Sequence, residues 1–490
     1  MLSNKPYPAR TPSVSAPPFP LKPVTAAREV PAAVAVPAVP VDPWEVHPFR
    51  RFFLYFALAT LFIQLSVLPE VIAYLTGTNT YILYVVAPPA IIGAILTGGV
   101  KRVFRAKASY LWMGFFLWMI LATPFSSWRG GSTQRVIDYS RVGIIFLLII
   151  GGLAVTWKDI RAVFFTIAAA AAVNLATARL FTENINGRIE LQASGTIGNS
   201  NDLAAHLLLV LPFVLFFVLG RGRSVIVQIA GLGLLAYGVW VILGTASRGA
   251  LVALFFVALA ILVRATLMQR IALVMVGILL TIGTIAILPG QTLARLGALF
   301  GEEHKEAGES ADSRWYLFKK SLEYTMQHPL VGVGPDQFAT FEGKSSLAEG
   351  HYGNWHATHN AFTQVSSECG IPAFLFFTGG LGSACFMVLR TYRKAKREGY
   401  TEIADACFCY LLAMTGYMVA LVFLAGAYSF KLPAMVGLAG ALSFAAAKQM
   451  KAGSGTRTGM VPIPGQTQMA LPYAAGPKAA WPNAAWPKTG

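Results

Sequence analysis

Apolar runs of roughly bilayer-crossing length recur along nearly the whole middle of this chain, and they decide its solvent. A membrane helix needs ~20 mostly apolar residues. Inside lipid every backbone polar group must be satisfied within the fold, which leaves helices as the natural element for such runs. The balance agrees, with 55% of residues hydrophobic and only 12% charged. The runs are read as about twelve helices, at 52–68, 81–96, 110–125, 139–155, 160–180, 203–219, 225–243, 249–263, 271–288, 361–389, 403–427 and 432–447. The expected fold is an all-α polytopic membrane bundle over residues 50–448.

Every second loop is basic. Lys101, Arg102, Arg105 and Lys107 occupy one, Lys158 and Arg161 the next, then Arg221 and Arg223, Arg264 and Arg270, and finally Arg390, Arg393, Lys394, Lys396 and Arg397. Lys and Arg near helix ends stay on the cytoplasmic side. Both termini are therefore expected in the cytoplasm and the long 291–360 loop outside. The net charge of +17 is largely this topology signal plus basic tails, so composition gives no case for nucleic-acid binding.

Residues 1–49 are rich in Pro, Ala and Val without a continuous apolar core or a cleavage pattern, so they do not read as a signal peptide. Residues 449–490 are rich in Gly, Pro and Ala and repeat as AAWPNAAWPK. Both segments read as disordered cytoplasmic tails; Trp481 and Trp486 are either solvated or dock a partner. The four cysteines, Cys369, Cys385, Cys407 and Cys409, fall in or beside spans and read as packing residues.

Polar groups interrupt the apolar pattern at one depth. Asp138 and Arg141 open the fourth span, Arg179 closes the fifth, Asn199, Asn201 and Asp202 precede the sixth, and Arg248 opens the eighth after a GTAS turn. Ionisable groups near a bilayer are costly unless they face water or a partner, so this cluster implies a wet recess toward the outer face. Interfacial anchoring accounts for any one of them singly. His206 lies about a turn further in and suits a hydrogen bond between helices. Arg248 must sit at the mouth of the bundle, where its planar fork suits a diphosphate or a lipid headgroup.

In the outer loop, 313–327 spaces Trp315, Phe318, Leu322 and Met326 on one helical face. Asp312 is expected to cap this helix and Arg314 to lie in its first turn, where free N–H groups favour an anion. Gly301 to Asp312 reads as a solvated acidic run. PLVGVGPDQF (329–338) follows, its glycines permitting tight turns and close backbone approach. His351, His356 and His359 come next without a regular metal spacing, and no metal site is expected. His359 stands immediately before a span and beside Asn360. An imidazole there could take a proton from a hydroxyl nucleophile. Glu368 is a possible partner, although a regular helix would turn it to the opposite face.

In this order the segments resemble the bacterial O-antigen ligase and polymerase superfamily of integral-membrane glycosyltransferases. SGTIGNSNDLAAHLLLVLP (194–212), TASRGALVA (245–253), SRWYLFKKSLEYTMQHPLVGVGPDQF (313–338) and HNAFTQVSSECG (359–370) carry the resemblance. The chain departs from the ligase signature at Ala373, three positions after Gly370. The resemblance implies a GT-C-like fold and transfer of a glycan from undecaprenyl diphosphate to an acceptor hydroxyl at the outer face of the bacterial inner membrane. The acceptor would be lipid A core, another glycan or a protein, as in ligases, polymerases and protein O-oligosaccharyltransferases. Arg248 and Arg314 would hold the donor diphosphate and His359 would activate the acceptor, with Arg141, Asn201, Asn360 and Glu368 as substrate-binding candidates. No D-x-D occurs, so arginine charge would replace a divalent ion and no cofactor is expected. A transporter is the alternative of another class; it would place polar groups near the midplane on interrupted helices.

Overall fold

The computed structural model describes residues 47–185, 187–192, 195, 197–220, 222–287, 290, 292, 305–350 and 355–458. Most of the two expected tails, the repeat with Trp481 and Trp486, His351 and residues 293–304 lie outside these. The chain begins with α1 (Pro48–Leu65) and α2 (Leu68–Thr76), which meet at 62°. There follow α3 (Ile82–Leu96), α4 (Gly99–Val103), α5 (Lys107–Ala122), α6 (Arg129–Tyr139), α7 (Ile145–Leu153) and α8 (Trp157–Leu180). A hairpin, β1 (Thr182–Ile185) against β2 (Arg188–Leu191), pairs Thr182 with Leu191 in antiparallel register. Then come α9 (Ser200–Leu219), α10 (Val225–Gly244), α11 (Arg248–Arg264) and α12 (Leu267–Ile287). Two loop helices, α13 (Lys305–Gln327) and α14 (Phe338–Ala348), precede α15 (Ala361–Glu398), α16 (Thr401–Leu421) and α17 (Lys431–Thr458).

The fold is thus an all-α polytopic bundle. Among the described residues seven helices are long and apolar enough to cross a membrane, or eight if the bent α1–α2 pair is one span. The apolar helix at Ile82–Leu96 is shorter. Large apolar side chains on the outside, such as Val85 on α3, Ile226 and Ile229 on α10 and Phe255 on α11, are exposed. Lipid tails satisfy such a surface where water would not.

Inside, Trp112 and Phe115 of α5 meet Phe377 of α15 with ring centroids 5.4 and 5.3 Å away. Trp112 Nε1 donates to the Tyr139 hydroxyl at 2.9 Å. A buried indole must find such an acceptor, and this bond ties α5 to α6. Arg50, fully buried, bonds Asp159 Oδ2 at 2.8 Å and the Leu153 carbonyl at 2.5 Å. Asp159 also closes a capping box with Thr156 at the head of α8. One carboxylate therefore fixes the α7–α8 junction and neutralises a charge that would otherwise be costly to bury.

Several local expectations change. Asp138 and Arg141 do not open a span: α6 and α7 form one helical segment from Arg129 to Leu153 through a π turn at Ser140–Ile144, with Arg141 in that turn. The loop helix starts at Lys305, so Asp312 and Arg314 lie in its interior. Arg314 therefore has no free helix-start amides beside it, because the acidic run continues the helix instead of preceding it. Within the segment expected as a tail from 449, residues 449–458 continue α17. Helix 338–348 was not anticipated; its start is set by the preceding Gly-Pro-Asp turn.

Alternation of the spans puts the α8–α9, α10–α11, α12–α15 and α16–α17 connections at one end of the bundle. The functional candidates lie there.

Candidate active site at one end of the bundle

His359 sits in the link to α15, half-buried, with φ +50°. A positive φ is uncommon for a residue with a side chain, and such backbone persists only where its surroundings hold it. Asn360 does the holding: its side chain accepts from the N–H of Phe362 at 2.9 Å and of Thr363 at 3.2 Å, capping α15. Buried Thr358 donates its hydroxyl to the Asn360 carbonyl at 3.1 Å. Asn360 is thus an N-cap that fixes where the imidazole leaves the chain.

Arg248 begins α11. Ala246 at φ +47° turns the chain and the Ser247 hydroxyl caps the helix through the Ala250 N–H at 3.4 Å. Arg314 projects from α13. These residues are distant in sequence, yet the guanidinium of Arg248 acts electrostatically on Arg314 and that of Arg314 acts on His359. Burial, and then the Arg248 charge, lowers the Arg314 pKa. Burial, then Arg314 and His356, holds the His359 imidazole below its ordinary value. The imidazole is therefore held toward its neutral, proton-accepting form, and the two guanidiniums repel each other, which a nearby anion would relieve.

The wall of this site is built by an interlock of two glycines. α15 breaks at Gly370, at φ +83°, and the 329–338 turn enters the break. Val333 N–H donates to the Ser367 carbonyl at 2.9 Å, Gly334 N–H to the Glu368 carbonyl at 2.9 Å, and Ile371 N–H to the Pro329 carbonyl at 2.8 Å. The turn thereby satisfies backbone groups that the break frees. A Cβ on Gly370 would lie 2.2 Å from the Leu330 carbonyl oxygen, and one on Gly332 2.3 Å from the Glu368 carbonyl carbon. Trp118 Nε1 reaches both sides of the break, 3.0 Å from the Leu330 oxygen and 3.1 Å from that of Cys369.

Glu368 lies under the turn, only 3% exposed. It accepts from Asp336 N–H at 2.9 Å, Phe338 N–H at 3.3 Å and the Tyr428 hydroxyl at 2.6 Å. Both oxygens are occupied, so it positions the turn and does not meet His359. Asp336 in turn pairs with Arg135 of α6, Oδ2 lying 2.8 Å from Nε.

A cavity of about 350 Å³ opens beside this wall, lined among others by Arg135, Asp138, Asp202, Gln364, Tyr428 and Lys431. Asp138 and Asp202, expected to share a wet recess, do share it. Arg141, Arg179, Asn199, Asn201 and Arg248, expected in the same recess, do not line it, and neither do Arg314 and His359. Arg141 is exposed in its π turn, and Asn201 is half-buried in the first turn of α9, whose cap is Asn199 accepting from Asp202 N–H at 3.0 Å. His206 bonds Asn174 of α8 at 2.7 Å between Nε2 and Nδ2, the interhelical role expected of it. The cysteines are free, and all but half-buried Cys385 are buried.

Sequence inspection passed over Asp336, Gln364, Tyr428 and Lys431. Their neighbours come from 30 or more residues away, beyond any local pattern. Lys431 alone left a trace, as a lysine at the very start of a span.

The fold and these groups define a multi-pass helical membrane protein with arginines and a histidine converging at one end of its bundle. Residues 233–378 match the family described as O-antigen ligase, which supports the resemblance to the O-antigen ligase/polymerase superfamily. The match spans Arg248, Arg314, His359, Asn360 and Glu368, and stops short of Arg141 and Asn201. No curated protein matches the chain significantly.

Proposed function

We propose that this protein transfers a glycan from undecaprenyl diphosphate to an acceptor hydroxyl at the outer face of the bacterial inner membrane, as an O-antigen ligase does. The convergence of Arg248, Arg314 and a neutral His359 carries this reading. The imidazole accepts the acceptor's hydroxyl proton as its oxygen bonds the anomeric carbon. The bond from that carbon to the diphosphate breaks, and its electron pair leaves on the phosphate oxygen. Arg248 and Arg314 stabilise this developing charge, the part a divalent ion takes in other transferases, so the reaction needs no metal.

The basic loops at Lys101–Lys107, Arg161, Arg264–Arg270 and Arg390–Arg397 lie at the opposite end from His359 by helix alternation, which supports cytoplasmic termini and an outward site. Twelve spans in a GT-C-like arrangement remain our reading for the shorter apolar helices as well.

Surface glycans resolved by size in a deletion strain test the reaction type. Loss of a ligase strands long polymer on its carrier. Loss of a polymerase leaves single repeat units on the acceptor, and a protein O-glycosylation defect spares both. His359→Ala and Arg248→Ala, restored to that strain, should each insert normally and abolish transfer; full transfer by both would remove the proposed site.

A further inference from the structure

The cavity beside Gln364 contains a lysine that forms no direct ion pair among the described residues. Lys431 is 6% exposed and opens α17. Its ammonium makes no hydrogen bond or close ion pair among the described residues; the Tyr417 ring centroid is 5.9 Å away, and Asp202 and Glu70 act on it at longer range. Gln364, 4% exposed, uses its carbonyl oxygen on the Ala427 N–H at 3.2 Å, and its amide nitrogen donates to no described acceptor. Both residues line the cavity. Their donor atoms face this open space and are available to acceptors that enter it.

The rim and floor narrow the chemistry. At the half-buried rim Arg135 is already taken by Asp336. Asp138 and Asp202 bring the lining carboxylates to three against two cations, which disfavours a diphosphate here. Tyr139, Tyr417 and Tyr428 add aromatic surface. Carboxylate acceptors, ammonium and amide donors and tyrosine rings together suit a ring that carries hydroxyls on its edge and C–H groups on its faces. About 350 Å³ is at the small end of ligand sites, enough for a small saccharide unit and not for a polymer.

We propose that this cavity is a saccharide subsite, binding one sugar unit of the donor or acceptor glycan through Lys431, Gln364 and Asp202 next to the reacting centre. The proposal rests on the glycan-transfer reading above and adds to it where the sugar lies. Gln364 follows His359 closely at the start of α15, which ties the cavity to the segment that carries the imidazole.

The test uses the full-length chain in nanodiscs with Ser429→Cys on the cavity lining, labelled by a small neutral methanethiosulfonate and corrected for wild-type labelling. The probes are undecaprenyl diphosphate bearing its native glycan, the isolated acceptor, and undecaprenyl diphosphate alone. We expect a glycan-bearing probe to slow labelling at least tenfold and the bare carrier to leave it unchanged; protection by donor or by acceptor tells which glycan supplies the sugar. Adding Lys431→Met should remove that protection while unliganded labelling persists. Equal protection by the bare carrier, no protection by either glycan probe, or undiminished protection in the Lys431→Met background would overturn the subsite. The transfer reading falls separately, on retained transfer by the His359 and Arg248 variants.

Discussion

At the scale of single residues the proposed chemistry turns on one imidazole kept neutral. Burial first, and the Arg314 charge second, lowers the His359 pKa, so the protonated form that cannot act as base appears only at more acidic pH. The kcat/KM profile of the free enzyme should therefore hold level down through the ordinary histidine value of ~6.5 and fall below it. Arg314→Gln should move that acid limb part of the way up, since burial remains. A wild-type limb at or above the ordinary value would contradict the base assignment. At Arg248 shape matters as well as charge. Arg248→Lys keeps the cation but loses the two-pronged contact with a diphosphate, and should recover little of the transfer rate lost in Arg248→Ala.

At the scale of elements, the site depends on a helix that is broken on purpose. Gly370 takes φ +83° and leaves no room for a Cβ beside Leu330. Gly370→Ala should cost at least ~1–3 kcal/mol from backbone strain alone, read as a large drop in thermal stability of the detergent-solubilised protein. Glu368→Ala orphans the amides of Asp336 and Phe338 and the Tyr428 hydroxyl, at on the order of 1–3 kcal/mol per buried donor. Limited proteolysis should then cut within 329–338 sooner, and Glu368→Gln, which keeps one acceptor oxygen, should protect better than alanine. Asn360→Ala should cost about 1 kcal/mol as a lost cap, with a disproportionate loss of kcat because the cap also sets the His359 backbone. Residue type alone, a glycine at 370 and a proline at 372, allows a bend there. It could not show that the PLVGVG turn occupies the bend, because the amides of Val333 and Gly334 reach carbonyls more than 30 residues on.

At the scale of the molecule, helix alternation and basic-loop bias agree on which end faces outward. Single cysteines introduced at exposed Lys319 or Leu347 should react with a membrane-impermeant maleimide in intact spheroplasts, whereas one at Lys394 should react only after permeabilisation. The reverse pattern would invert the topology and put the arginines and His359 in the cytoplasm. Ion pairs brace the opposite end: Arg50 with Asp159, Arg161 with Glu402 and Arg264 with Asp405. At the end that carries His359, Arg135 pairs with Asp336 beside the polar cavity.

Sequence by itself determined that this is a helical membrane protein, and it singled out Arg248, Arg314 and His359 as the candidate groups. Apolar run length, loop charge and residue type are local quantities, and a bilayer reads them locally. Tertiary structure alone decided that the two arginines and the histidine act on one another, that Glu368 supports the wall instead of pairing with His359, and that Lys431 and Gln364 face one cavity. Those facts depend on contacts between segments far apart in the chain, made when lipid-buried helices pack to satisfy polar groups that no single helix can satisfy alone.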